Sequence, residues 1–215
     1  MKNIKSINEF WGAVIRRDMS SAVREEDKFH SREELQEYLM KEIRKQGKDV
    51  VIKNLDVSGI EDLRGLFKGL LDGVKTLDLP GWNTSNVREM DEMFECCDSL
   101  TSLDLSDWDT GNVRSMYLMF GSCEKLKSID LSGWDTSNVK NMCGVFFNCR
   151  DLNDLDLSGW DTSGVVNMYW MFQDCESLQS LDLSGWDTSS VEYIKDMFDN
   201  CPAPYEVVDN KIVRK

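Results

Sequence analysis

The stretch Ile129–Cys149, IDLSGWDTSNVKNMCGVFFNC, decides how the rest of the chain is read. Its first three residues alternate apolar, acidic, apolar, the period-two pattern of a half-buried strand. Its second half places Val139, Met142, Val145, Phe146 and Cys149 at i, i+3, i+6, i+7 and i+10, which predicts one face of a helix. Between the halves, SGWDTSN is rich in turn formers, and Asp135 or Thr136 is the expected N-cap of that helix.

The same sentence recurs. Trp82, Trp108, Trp134, Trp160 and Trp186 each lie 26 residues from the next, as do Phe94 to Phe198 and Cys97 to Cys201. The strand-like triplet returns as Leu77–Leu79, Leu103–Leu105, Leu155–Leu157 and Leu181–Leu183. A fixed period in this range marks repeat units that bury their apolar faces only by stacking on neighbours. The expectation is therefore an α/β fold, a right-handed leucine-rich-repeat-like solenoid capped at both ends. Short parallel strands would line one face and helices the other. About six units would occupy residues 51–201, the first shortened, with Leu55-Asp56-Val57 as its strand.

Residues 1–50 read as a helical N-terminal cap. Ser31 and Glu34 form the expected capping box of a helix whose buried stripe is Leu35, Leu39 and Ile43, and Gly47 stops it. Further upstream, Ile4, Ile7, Trp11, Val14 and Ile15 fall roughly on one helical face. Pro202 and Pro204 break the repeat, and residues 202–215 read as a hairpin cap turning at Asp209-Asn210. Caps at both ends are what a stack with open edges needs, so the chain reads as complete.

The unit LDLSGWDTSNVxxMxxMFxxC resembles the BspA-like leucine-rich repeats, also known from mycoplasma-type surface lipoproteins, over Val51 to Cys201. The resemblance implies a curved binding scaffold at the cell surface or secreted, which engages host or matrix proteins and carries no reaction. The N-terminus departs from that pattern. No apolar run precedes Arg16 and the first cysteine is Cys96, so neither a signal peptide, a membrane span nor a lipobox is read, and as it stands the chain reads as cytoplasmic.

The chain carries 25 Lys/Arg against 39 Asp/Glu, a net charge of −14. Residues 1–54 hold 12 basic and 10 acidic side chains, net +2, leaving 13 and 29, net −16, for the remainder. Such an array repels phosphate backbones, so nucleic acid is excluded and a basic protein is the expected partner. Of the seven cysteines, five stand on the repeat ladder, where they are expected as buried, reduced fillers. No metal and no cofactor are expected: Cys96-Cys97 is adjacent rather than C-x-x-C, and the single histidine, His30, lies outside the array.

Two binding surfaces suggest themselves. Asp78, Asp104, Asp130, Asp156 and Asp182 occupy the outward strand position, and strands ~4.8 Å apart would stack them in an acidic strip. Like charges in a row disfavour ionisation, so a proton, cation or basic partner is expected along it. The bland reading, that Asp belongs to the repeat template and is satisfied by nearby Ser and Thr hydroxyls, carries more weight. The second surface is a notch. Tyr117, Leu118, Tyr169 and Trp170 stand two repeats apart with Gly144 between them, at positions expected on the edge of the buried helix face. Against it stands the reading that the tyrosines fill grooves between helices.

The Trp82–Trp186 ladder and the Met column from Met90 to Met197 read as core, not as sites. Catalysis finds no support: one histidine allows no Ser–His–Asp set, and the carboxylate pairs repeat where an active site is unique. The function expected is a non-catalytic scaffold that binds a protein through its repeat array. An intracellular acidic inhibitor or immunity-type protein that masks a basic protein is the runner-up, and a carbohydrate-binding module is the weaker third reading.

Overall fold

The strand expectation rests on triplets such as Ser128-Ile129-Asp130, and the computed structural model, which describes residues 28–209 and 211–215, places strands there. The helix proposed for Ile4 to Ile15 and the hairpin residue Asn210 lie outside the described residues. The fold is mixed α/β, with a four-stranded parallel sheet and, among the described residues, one helix.

The helix, α1 (Arg32–Gln46), starts where Ser31 accepts the Glu34 amide at 3.1 Å, while the Glu34 carboxylate accepts the His30 amide at 3.2 Å. Gly47 ends it in a left-handed conformation, φ 81°, and donates to the Ile43 carbonyl. Leu35, Leu39 and Ile43 are buried, as their spacing requires. Four strands follow: β1 (Asp49–Val51), β2 (Thr76–Asp78), β3 (Ser102–Asp104) and β4 (Ser128–Asp130). They pair in parallel and in repeat register, Leu77 beside Leu103 and Leu103 beside Ile129. A further parallel bridge joins Ser128 to Asp154. The chain ends in an antiparallel hairpin of β5 (Tyr205–Val208) and β6 (Lys211–Arg214).

The first unit corrects the sequence reading. Its strand is Asp49–Val51, so Val50 rather than Leu55 pairs with Leu77, and Asp56 sits farther along, bridged to Asn83. The triplet match at Leu55-Asp56-Val57 was a coincidence of composition: Val50 and Ile52 hold the buried places beneath the sheet.

The larger correction concerns the expected helices. Among the described residues no helix follows any strand; residues 90–97 and their counterparts form tandem turns. Met93 and Cys97 donate their amides three residues back, to Met90 and Phe94. Met90, Glu92, Phe94 and Cys96 donate theirs sideways, to Ser115, Tyr117, Met119 and Gly121 of the next unit. Each tandem turn needs a left-handed residue every fourth position: Glu92 and Cys96, Leu118 and Ser122, Gly144 and Asn148, Trp170 and Asp174, Asp196 and Asn200. Spacings of three and four therefore arise from four-residue turns as readily as from a helix, which is why the pattern misleads.

Between strands and turns, a second parallel ladder runs through Glu89, Ser115, Asn141, Asn167 and Tyr193. Buried residues of all units form one continuous core. Phe67, Phe94, Phe120, Phe146, Phe172 and Phe198 stack through it with ring centroids 5.0–5.8 Å apart. Trp82, Trp108, Trp134 and Trp160 are buried beside them, while Trp186, in the last unit, is only partly covered. The ladder cysteines are buried and free, and Sγ of Cys123, Cys149 and Cys175 approaches the carbonyl of the preceding unit's Phe at 3.0–3.1 Å. Of the seven, only Cys96 is exposed.

Candidate binding surfaces

The parallel register places Asp78 beside Asp104 and Asp104 beside Asp130. Asp156 and Asp182 continue the row as exposed residues. Between and beside these side chains runs a groove of about 650 Å³, lined by Asp78, Asp104, Asp130, Asp154 and Asp156 together with Ser and Thr hydroxyls and the sheet backbone. Among the described residues none of these five carboxylates is in an ion pair.

Four of the aspartates also close turns on themselves. Asp104, Asp130, Asp156 and Asp182 accept the amide two residues on, from Ser106, Ser132, Ser158 and Ser184, at 2.9–3.0 Å. The effect on ionisation runs against the sequence-based expectation. The Ser132 amide and hydroxyl hold Asp130 below the usual carboxylate range, and Ser158 and Ser184 do the same for Asp156 and Asp182. Repulsion from the neighbouring carboxylate opposes this at Asp130 and Asp156 but is the smaller effect. The three are charged without help from a partner.

A second acidic ladder was missed by the sequence reading, which took Asp135 or Thr136 for a helix cap. Asp109, Asp135, Asp161 and Asp187 are exposed and accept the amide two residues on at 2.8–3.2 Å. The Ser137 hydroxyl and amide lower the Asp135 carboxyl, and Ser163 and Ser189 act likewise on Asp161 and Asp187. The adjoining Thr84, Thr110, Thr136 and Thr162 are buried and donate their hydroxyls to the next unit's Asp carbonyl at 2.9–3.0 Å. The signal was the Asp-x-Ser pattern, which marks a side-chain-closed turn.

The notch is not open. Gly144 is buried and left-handed (φ 62°), and a Cβ built there would stand 2.5 Å from Leu118 Cδ2, so the Leu118 side chain lies across the gap. Trp170 is half-buried, with its ring 4.2 Å from that of Tyr169 and 6.1 Å from that of Phe147. Tyr169 donates its hydroxyl to Asp196 at 3.4 Å, and Tyr117 is held by its amide on Asp91 at 2.8 Å. The five residues do come together, but as a packed surface. Leu118 fills the space left by the missing Gly144 side chain because both sit at the same left-handed turn position, one unit apart.

Among the described residues no group of three or more His, Cys, Asp or Glu has metal-binding geometry, and no helix is long and apolar enough to cross a membrane. The profile of a family described as "Mycoplasma protein of unknown function, DUF285" matches residues 18–130 and, a second time, residues 115–206. No curated protein and no solved structure matches the chain.

Proposed function

The chain belongs to that family, and we propose that it is a non-catalytic scaffold that binds a basic protein segment along its acidic strand face. In this reading the stacked units form a leucine-rich-repeat-like solenoid of the BspA-like kind. The parallel pairing of successive 26-residue units supports that placement.

One observation carries the function: a groove lined by five carboxylates, none of them in an ion pair among the described residues. A row of fixed charges lining a groove focuses its field along it and speeds the approach of a Lys- or Arg-bearing chain. Repetition of Asp through the template is consistent with a purely structural turn role. That role uses only one carboxylate oxygen of each turn, however, and leaves the charge exposed.

The masking of a basic protein inside the cell, the second reading, uses the same surface and is favoured by the same unpaired charges. The notch is not advanced as a site, because Leu118 occupies it.

Asp104, Asp130 and Asp156 replaced together by Asn test the proposal. Asn retains the acceptor that closes each turn, so the fold is expected to persist. Association of a synthetic lysine-rich peptide at low salt, followed by stopped flow, is expected to slow by roughly tenfold or more. Unchanged rates in a folded variant would remove the strip from consideration.

A further inference from the structure

The groove on the strand face has two unlike sides and two unlike ends. Thr76, Ser102 and Ser128 begin their strands and line the entry side, while Asp78, Asp104 and Asp130 end theirs and line the exit side. Val51 heads the aspartate row, paired in register with Asp78. At 39% exposed it is one of the large apolar side chains left open to solvent, so the acidic row has an apolar head.

The described chain enters the fold near that head. Phe29 donates its amide to the Asp56 carbonyl at 3.1 Å, and the incoming chain lies against Gly59. This loop leaves β1 on the exit side, and Asp56 is bridged to Asn83 in the loop that leaves β2. Upstream of it the sequence changes sign. Residues 1–24 hold five basic side chains, Lys2, Lys5, Arg16, Arg17 and Arg24, against two acidic ones, Glu9 and Asp18, net +3. That leaves 20 basic and 37 acidic for residues 25–215, net −17. The same segment carries Ile4, Ile7 and Trp11, so it is both basic and apolar, as the row with its Val51 head is both acidic and apolar.

Reach is ample. From Asp78 to Asp156 the row takes three inter-strand steps, ~14 Å in all. The residues before Lys28 cover ~40 Å even at the helical rise of ~1.5 Å per residue. A segment tethered this closely meets the groove at an effective concentration on the order of millimolar. The same segment of a second copy meets it only at the concentration of the protein, so at micromolar protein the contact within one chain prevails.

From this we infer that residues 1–24 occupy the strand-face groove of their own chain, an inference that rests on the acidic groove being the binding surface. The segment neutralises part of the row and holds the place of the basic partner. A partner then binds by displacing it, and the groove responds only to a segment that outcompetes a tethered rival.

Carbodiimide coupling of the full chain at micromolar concentration, without added peptide, tests the occupancy. Cross-links from Lys2 and Lys5 to Asp104, Asp130, Asp154 or Asp156 are expected within single chains. A second measurement tests the competition, using a fluorescent lysine-rich peptide at low salt. The full chain with Lys2, Lys5, Arg16 and Arg17 changed to Gln should bind this probe at least about tenfold more tightly than the unaltered chain. A control with Arg44, Arg114, Lys125 and Lys211 changed to Gln, all of them exposed, loses the same charge and should show no such gain. Absence of the cross-links, cross-links only between two chains, equal coupling to Asp109, Asp135 and Asp161, or an equal gain in the control would each overturn the inference. If the probe binds the unaltered chain and the four-Gln variant equally well, the groove keeps its proposed function and this inference falls. If the cross-links form within single chains but the probe binds no variant, the inference stands and the proposed function falls.

Discussion

At Asp130 hydrogen bonding opposes desolvation and charge repulsion, with desolvation the larger of the two opposing effects. The Asp156 carboxylate one unit along disfavours ionisation, while the amide and hydroxyl of Ser132 favour it, and the hydrogen bonds are the larger influence. The same balance holds at Asp156, whereas Asp182 feels Arg214 instead of a further carboxylate. Asp135, Asp161 and Asp187 are held low by the serines of the second ladder. Six carboxyls thus have folded values below their unfolded ones. Such groups contribute stability above the ordinary Asp value of ~3.9, and that contribution is lost as pH falls through the lowered values. Burial raises Glu89 and Asp98, which act in the opposite sense but are fewer. The melting temperature is therefore expected to fall steadily as pH drops below ~4. Thermal unfolding followed across that range checks it; a melting temperature that holds or rises on acidification would show that the serines do not stabilise the charged form.

The tandem turn is the element on which sequence and structure part. The core columns were legible because burial demands apolar residues whatever the backbone does: Met90, Met93, Phe94 and Cys97 are buried as the spacing requires. Strands were legible in the central units, and the Ser31–Gly47 helix was legible from its caps. The backbone between buried residues was not, since turns of four residues and helical turns of 3.6 put apolar side chains at the same intervals. Asn148, Asp174, Asp196 and Asn200 were the available clue, but Leu118 and Trp170 at equivalent positions obscured it. The stacking of Asp78, Asp104 and Asp130 followed from the alternating triplets, and satisfaction by nearby Ser hydroxyls was foreseen, but the Ser amide two residues on, which closes the turn at Asp130, was not.

Cys96 separates the two backbones directly, being exposed and left-handed at φ 58°. In a helix interior Gly is about 1 kcal/mol worse than Ala. At a left-handed position Ala carries a penalty of roughly 1 kcal/mol that Gly does not. Chemical denaturation is expected to find Cys96→Gly more stable than Cys96→Ala by about that amount. The reverse order would restore the helix.

At the scale of the whole molecule, the stack is closed unevenly and charged unevenly. Helix α1 seals the first edge with Arg32 and Gln36, Tyr205 seals the core of the last, and the net charge of −14 is concentrated beyond residue 54. Two acidic ladders share that surplus. The ladder on the strand face lines a groove of about 650 Å³, and the proposed function depends on that groove. Carbodiimide coupling of carboxylates to the amines of a bound lysine-rich peptide, mapped by mass spectrometry near physiological salt, compares the two ladders in one experiment. Binding in the groove predicts cross-links concentrated on Asp104, Asp130, Asp154 and Asp156. Cross-links spread equally over Asp109, Asp135, Asp161 and Asp187, which are just as exposed, would mean that charge alone attracts the peptide and that the groove has no part in binding it.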